Sequence, residues 1–286
     1  MKHLLGIIIL SALLLSDQGV DIENIKNVKT KSSMEKWLDH DFGLKPYKTN
    51  YFLPYGYADT PYISTVPTIA YKNVEAELQV SLMLQIGHNL FGLNERYYIS
   101  YSHQAFWQIF IKSAPFRETT YNPEGFVIFP IEDSDSIFGL RSFKFAIAHK
   151  SNGQPDTGAV VFANNQALGN LSRSINYLES TLRLQHGSLV TDIAAWVPIA
   201  DLSDNPDIMD YMGYSSIKFT YFMGDHMFTL KARGNITTHK GAVEATYSHP
   251  LIHDNLYIKF FNGYMESLVD YDRKVTKLSI GISFSR

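Results

Sequence analysis

The sequence predicts an all-β fold, a twelve-stranded antiparallel transmembrane β-barrel, with a short N-terminal extension after a signal peptide. Three observations predict it. From residue 47 onward the dominant hydrophobic period is two, the period of a strand whose side chains alternate faces. Several alternating runs reach ten residues or more, long for globular strands and suited to a tilted membrane strand of about 9–11 residues. The chain also opens with an export-like segment. A soluble β-sandwich would accept the same alternation, with the apolar face in its core. Strand length and the export segment favour the barrel, in which the apolar face meets lipid and the polar face lines the interior. Closure also satisfies every backbone group within the bilayer.

Residues 1–19 read as a signal peptide. Lys2 and His3 form a basic start, residues 4–15 are an apolar run, and residues 16–19 are small or polar. A membrane anchor helix is the alternative, but a spanning helix needs about 20 apolar residues. The chain has no cysteine, which excludes disulfides, a thiol nucleophile, a cysteine-ligated metal and a lipoprotein anchor. A formal net charge of −3 gives no sign of nucleic-acid binding. Residues 20–46 read as a periplasmic extension; Ser32 and Glu35 have capping-box spacing, which predicts a short helix through Trp37 and Leu38.

Residues 47–286 read as the barrel and its catalytic domain. Strand centres are predicted near Tyr51, Val80, Tyr101, Val127, Ile147, Leu178, Ile193, Phe219, Leu230, Ala245, Ile258 and Ile280. Turns are expected at Gly187 and Ser188, at residues 223–226 and at residues 250–255, with longer loops at residues 88–95 and 201–210. Tyr97, Trp107, Trp196 and Tyr247 stand near strand ends and suit interfacial girdles.

One strand, around residues 143–153, carries polar groups on its apolar face. Phe143, Phe145, Ile147, His149 and Ser151 share one side; Lys144, Ala146, Ala148 and Lys150 share the other. Polar residues on a lipid-facing wall cost free energy and call for a reason. His149 and Ser151 lie two apart, roughly 7 Å along a strand. On the next strand Asn176 shares its parity with Leu178, Leu182 and Leu184, so antiparallel pairing would set it beside His149. Serine, histidine and an amide form a workable hydrolytic set: His149 as general base, Ser151 as nucleophile, Asn176 holding the ring. The Gly153 N–H follows the nucleophile and could meet a developing oxyanion. The plainer reading makes these strand-end residues at the membrane interface. No GxSxG, HExxH, P-loop or EF-hand pattern occurs, and residues 205–208 read as a loop.

The motifs HKSNG at residues 149–153 and SRSIN at residues 172–176 resemble those of the outer membrane phospholipase A family of twelve-stranded barrel enzymes. So do residues 113–119, 205–208, 211–214 and 263–268. The resemblance covers most of the mature chain and implies a calcium-dependent hydrolase of phospholipid acyl esters, with A1, A2 and lysophospholipase activity, active as a homodimer in the outer membrane. It maps His149, Ser151 and Asn176 onto the family's triad. It implies Ca2+ held by Ser172, by the Gln154 carbonyl, and by the Ser113 carbonyl of a partner chain; oxygen ligands suit that hard cation. His103 stands where the family carries a dimer-face glutamine. The stretch between Gly153 and Ser172 is longer than is usual in the family. A passive pore or structural barrel is the competing class, with Lys144, Lys150, Arg173, Glu179 and Arg183 lining its lumen.

Overall fold

The computed structural model describes residues 43–64, 69–131, 138–154, 160–161, 167–168, 170–200 and 202–285. The expected signal peptide, and the expected extension up to residue 42 with its predicted short helix, lie outside the described residues. The chain divides into two compact units, Met1–Leu44 and Lys45–Arg286. The second unit holds the barrel.

Twelve strands form the barrel wall: β1 (Tyr51–Ala58), β2 (Val74–His88), β3 (Arg96–Trp107), β4 (Phe116–Pro130), β5 (Leu140–Ser151), β6 (Ser174–His186), β7 (Leu189–Pro198), β8 (Ser215–Met223), β9 (His226–Asn235), β10 (Lys240–Pro250), β11 (Asn255–Gly263) and β12 (Val275–Ser283). All twelve expected centres fall inside them. Each strand pairs antiparallel with the next, and β12 pairs back onto β1 with Lys277 opposite Ala58 and Ser283 opposite Tyr51. Closure leaves no barrel edge, as a bilayer demands.

The two faces decide between barrel and sandwich. Val80, Ile99, Tyr101, Phe145, Ile147, Leu230, Leu278 and Ile280 are exposed on the outer wall, whereas Glu75, Glu77, Arg117, Lys259 and Lys277 are buried inside. A soluble sandwich requires the reverse, so the apolar face is the lipid face. Tyr97, Trp107 and Tyr247 stand on that outer side. Trp196 does not: it is buried, donates from Nε1 to the Gly213 carbonyl at 2.8 Å, and packs in a cluster with Ala148, Ile175 and Ile208. Its even position in β7 sets it opposite in parity to exposed Ile193 and Val197, and parity overrides proximity to a strand end.

Short turns join β6 to β7, β8 to β9 and β10 to β11 at one end of the barrel. At the other end lie longer connections, including residues 152–173, 199–214 and 264–274. The second holds a one-turn helix, α1 (Ile208–Met212), where the sequence pattern predicts a loop. The third folds inward: Met265, Glu266, Ser267, Leu268, Asp270 and Tyr271 are all buried. Arg117 anchors it. Its guanidinium meets Asp270 at 2.6 Å, Ser267 Oγ at 3.0 Å and both oxygens of Glu75 at 2.9 and 3.0 Å. Glu118 accepts the Leu268 and Val269 N–H groups at 2.6 and 2.5 Å. Lys277 joins Glu75 at 2.8 Å and Glu266 at 3.0 Å. Further down the lumen Lys144 pairs with Glu179 at 2.7 Å and Arg183 with Asp192 at 2.6 Å. A cavity of about 540 Å³ remains among these groups.

Candidate active site

The β5–β6 register sets His149 directly opposite Asn176, and Ser151 opposite Ser174. Both strands end here, at the barrel end with the longer connections. His149, Ser151 and Asn176 are half-buried on the outer wall, in line with exposed Ile147 and Phe145. The His149 ring meets Asn176 Oδ1 through Nδ1 at 2.8 Å. An amide oxygen only accepts, so Nδ1 is the donor, and in the neutral ring Nε2 is the nitrogen with the free lone pair. The β5 backbone is held from the other side by Asn122, whose Nδ2 donates to the His149 carbonyl at 2.9 Å. Among the described residues no hydrogen bond joins Ser151 Oγ to the ring; the two stand on one face, two residues apart.

Beyond Ser151 the chain turns sharply. Gly153 has φ +65°, and a Cβ there would come within 2.9 Å of Tyr121 Cε2. Glycine meets both demands, a left-handed backbone and an aromatic edge against it. Tyr121 lies opposite Ser151 in the β4–β5 register, and its ring packs edge-on to His103 at 5.1 Å. His103 faces outward between Val80 on β2 and Tyr121 on β4.

Two buried asparagines tie the connections to the strand ends. Asn152 Nδ2 donates to the Leu171 carbonyl at 2.8 Å, and its Oδ1 accepts the N–H groups of Arg173 at 3.0 Å and Gln154 at 3.3 Å. The long connection therefore starts and ends at one clamp, whatever its length. Asn205 donates to the Ser174 carbonyl at 3.0 Å and accepts its N–H at 2.9 Å, in the manner of a missing strand partner. Just before it, Asp204 accepts Ser172 Oγ at 2.9 Å and Asn170 Nδ2 at 2.9 Å. The run at residues 205–208 is thus more than a loop: it braces the start of β6.

The expected metal ligands are only partly gathered. Ser172 stands beside the Asp204 carboxylate. Gln154 is exposed next to Gly153. Ser113, with φ +66°, sits on the β3–β4 connection, and the family resemblance gives its role to a partner chain. Among the described residues no group of three or more His, Asp or Glu could hold a metal. A serine hydroxyl, backbone carbonyls and one carboxylate are nonetheless hard oxygen donors of the kind calcium takes. Sequence reasoning missed Asp204, Asn152 and Asn205 as contributors. All three lie within motifs or loops legible in the sequence, but each bonds to partners far along the chain.

Fold and site together define a bacterial outer-membrane barrel whose polar chemistry opens onto the bilayer side of its wall. The sequence pattern of the Phospholipase A1 family matches residues 28–284, and the chain belongs to that family. It is an enzyme, a phospholipase, and a multi-pass protein of the outer membrane. Phospholipase A1 of Proteus vulgaris is 33% identical over 251 residues, covering 85% of this chain and 82% of that one. Phospholipase A1 of Escherichia coli (strain K12) is 31% identical over 253 residues, with 85% and 82% covered. Among solved structures, an active-site asparagine-to-alanine variant of outer membrane phospholipase A from Escherichia coli superposes with a TM-score of 0.74 at 30% identity, covering 86% of this chain and 93% of that one. The Salmonella typhi outer membrane phospholipase, a dimer with bound calcium, gives 0.74 at 31% identity and the same coverage.

Proposed function

We propose that this enzyme, exported by residues 1–19, hydrolyses the acyl esters of membrane phospholipids with Ser151 as nucleophile, His149 as general base and Asn176 as the group that orients the ring. The observation that carries the reading is the 2.8 Å link from His149 Nδ1 to Asn176 Oδ1 on the outer wall. It leaves Nε2 as the basic nitrogen on the strand that bears Ser151. Ser151 Oγ gives its proton to Nε2 and bonds to the ester carbonyl carbon. The tetrahedral oxyanion meets the Gly153 N–H. The C–O bond to the glycerol side breaks, and the leaving oxygen takes the proton from His149. Water then repeats the sequence, with His149 accepting its proton, and releases the fatty acid. The same cycle serves either acyl position and a lysophospholipid, since each presents the same ester. No soluble pocket is needed, because the substrate already lies against this wall.

The Salmonella typhi structure is a calcium-bound dimer, and the oxygen donors near Ser172 are of the kind that ion takes. Ser172 Oγ, the Gln154 carbonyl and Asp204 would hold it, with the Ser113 carbonyl contributed by a second copy. Bound there, the ion would supply positive charge close to the developing oxyanion. In this homodimer His103, outward-facing and packed on Tyr121, stands at the contact surface. The pore reading loses ground to the folded-in residues 264–274 and the paired lumen charges.

The test is fatty-acid release from phospholipid mixed micelles, with and without calcium, for wild type and Ser151→Ala. Release by wild type in calcium alone, none by the variant, and an unchanged heat-dependent gel shift of the folded barrel are expected. Full activity in Ser151→Ala would sink the assignment. Equal wild-type activity under strong chelation would remove calcium from it.

A further inference from the structure

We propose that Asn122 is a positioning residue for His149: its side-chain amide replaces the backbone hydrogen bond that Pro123 cannot give, and Lys48, from the segment ahead of β1, holds that amide in place. This rests on the reading of His149 as general base and names what fixes the backbone that carries it.

Along a strand, the backbone groups of successive residues turn to opposite neighbours, so hydrogen-bonded and non-hydrogen-bonded pairs alternate. The Asn152 N–H bonds to the Arg173 carbonyl at 3.1 Å, on the β6 side. Lys150 shares that direction, and His149 therefore turns its N–H and C=O toward β4. On β6 the Asn176 carbonyl accepts the Ile199 N–H at 3.0 Å, so its backbone faces β7. His149 and Asn176 are then a non-hydrogen-bonded pair, the kind with the closer side chains, which suits their 2.8 Å link. Toward β4 the position is different. Tyr121 lies opposite Ser151 and Glu124 opposite Ala148, which sets Pro123 opposite His149. That pair should exchange two hydrogen bonds, but proline has no N–H, so the His149 carbonyl loses its ladder donor. The ladder skips Asn122 with Lys150 and Pro123 with His149, the two pairs that depend on the missing donor. Proline is ordinarily confined to edge strands, bulges or the first residue of a strand, and a closed barrel has no edge.

Asn122 supplies the donor from the residue before. Its side chain is buried inside the barrel, and Nδ2 donates to the His149 carbonyl at 2.9 Å. Its Oδ1 accepts from Lys48 Nζ at 2.9 Å. The partners settle which way the amide points, because a carbonyl only accepts and an ammonium only donates. Lys48 is itself fixed: Nζ reaches Glu124 Oε1 at 2.5 Å, and its backbone N–H donates to Ser81 Oγ at 3.1 Å. Next to it the Tyr47 hydroxyl donates to Glu124 Oε2 at 2.9 Å. One chain of contacts thus runs from the segment ahead of β1, through Asn122, to the peptide of the histidine. That peptide sets the Cα–Cβ direction of His149, and with it where Nε2 points relative to Ser151. A displacement of about 1 Å in a reacting group can cost about a hundredfold in rate, so a missing ladder bond at this residue matters more than elsewhere in the wall.

The test uses the fact that replacing the proline returns a backbone N–H. Full-length wild type, Asn122→Ala, Asn122→Asp, Pro123→Ala and the double variant Asn122→Ala with Pro123→Ala are assayed in phospholipid mixed micelles with calcium. Each is first checked for the heat-dependent gel shift of the folded barrel. Asn122→Asp keeps the size of the side chain and an acceptor for Lys48, but has no donor for the His149 carbonyl. Asn122→Ala and Asn122→Asp should each lower kcat about tenfold while KM stays within about twofold, since substrate binding is untouched. The double variant should regain at least about half of the kcat of Pro123→Ala, because the restored ladder bond does the work of the lost amide. A side chain that only stabilised the wall would give no such rescue. Wild-type kcat in folded Asn122→Asp, or a folded double variant no faster than Asn122→Ala, would overturn the proposal. If Asn122→Ala does not fold, Asn122→Asp with and without Pro123→Ala provides the same comparison. Wild type that releases no fatty acid, or full activity in Ser151→Ala, would instead overturn the proposed function, a separate outcome.

Discussion

An amide beside His149 fixes one ring nitrogen as a donor but brings no charge to a protonated ring. In the proposed mechanism that makes the contribution of Asn176 one of orientation. A neutral hydrogen bond is worth about 0.5–1.5 kcal/mol net, and roughly 1.4 kcal/mol is a factor of ten in rate. Asn176→Ala should therefore lower kcat on phospholipid about tenfold with little change in KM, far less than the loss in Ser151→Ala. Steady-state fatty-acid release reads both. A fall as deep as that of the serine variant would mean that Asn176 does more than orient. Gly153 permits a sharper forecast, because two independent constraints meet there. A side chain at φ +65° costs roughly 1–2 kcal/mol, and its Cβ would also press on the Tyr121 ring. Gly153→Ala should fold as a barrel and lose at least tenfold in kcat, since in the proposed mechanism the Gly153 N–H meets the oxyanion and would move with the turn.

At the scale of elements, the site is two strand ends and the connections that brace them. Asn205 supplies both the donor and the acceptor for the Ser174 backbone. Removing its side chain orphans two groups, at about 1–3 kcal/mol for each one buried. Asp204, which reaches Ser172, belongs to the same turn. Asn205→Ala should thus raise the calcium concentration needed for half-maximal activity, read in a calcium titration of fatty-acid release; an unchanged titration would separate the brace from the ion site. This is also where legibility in the sequence ends. Period two places all twelve strands and puts His149, Ser151 and Asn176 on one face, because parity is a local property of a strand. It cannot place Asp204 beside Ser172, or Asn152 against Leu171, because those bonds cross loops in which no period operates. Trp196 shows the converse: its parity is readable, and nearness to a strand end misleads. The calcium expectation comes from family likeness alone, since hydroxyl and carbonyl ligands leave no spacing signature of the His or Cys kind.

At the scale of the molecule, the proposed chemistry lies on the outer wall and the lumen holds that wall in shape. Arg117 is the centre of that interior, fully buried among Glu75, Glu266 and Asp270 and stacked over Tyr62 and Phe106. Its Glu75 pair is well formed, but burying ions is expensive, so the pair matters chiefly when it is broken. Loss of one partner from a buried pair costs roughly 3–5 kcal/mol, whereas neutralising both can be close to neutral. Arg117→Met should lower the urea midpoint of barrel unfolding in detergent strongly, and Arg117→Met with Glu75→Gln should recover part of that loss. The recovery will be incomplete, because Asp270 also loses its 2.6 Å partner. The two single variants and the double form a thermodynamic cycle whose coupling term belongs to the pair. Below its lowered midpoint, Arg117→Met should still release fatty acid, since no lumen group touches the ester. The same variant bears on the pore alternative. Residues 264–274 stay folded into the lumen partly through Arg117, so freeing them should raise ion conductance across a planar bilayer above the silent baseline expected of wild type. Steady conductance in wild type would show that the interior charges line a passage after all.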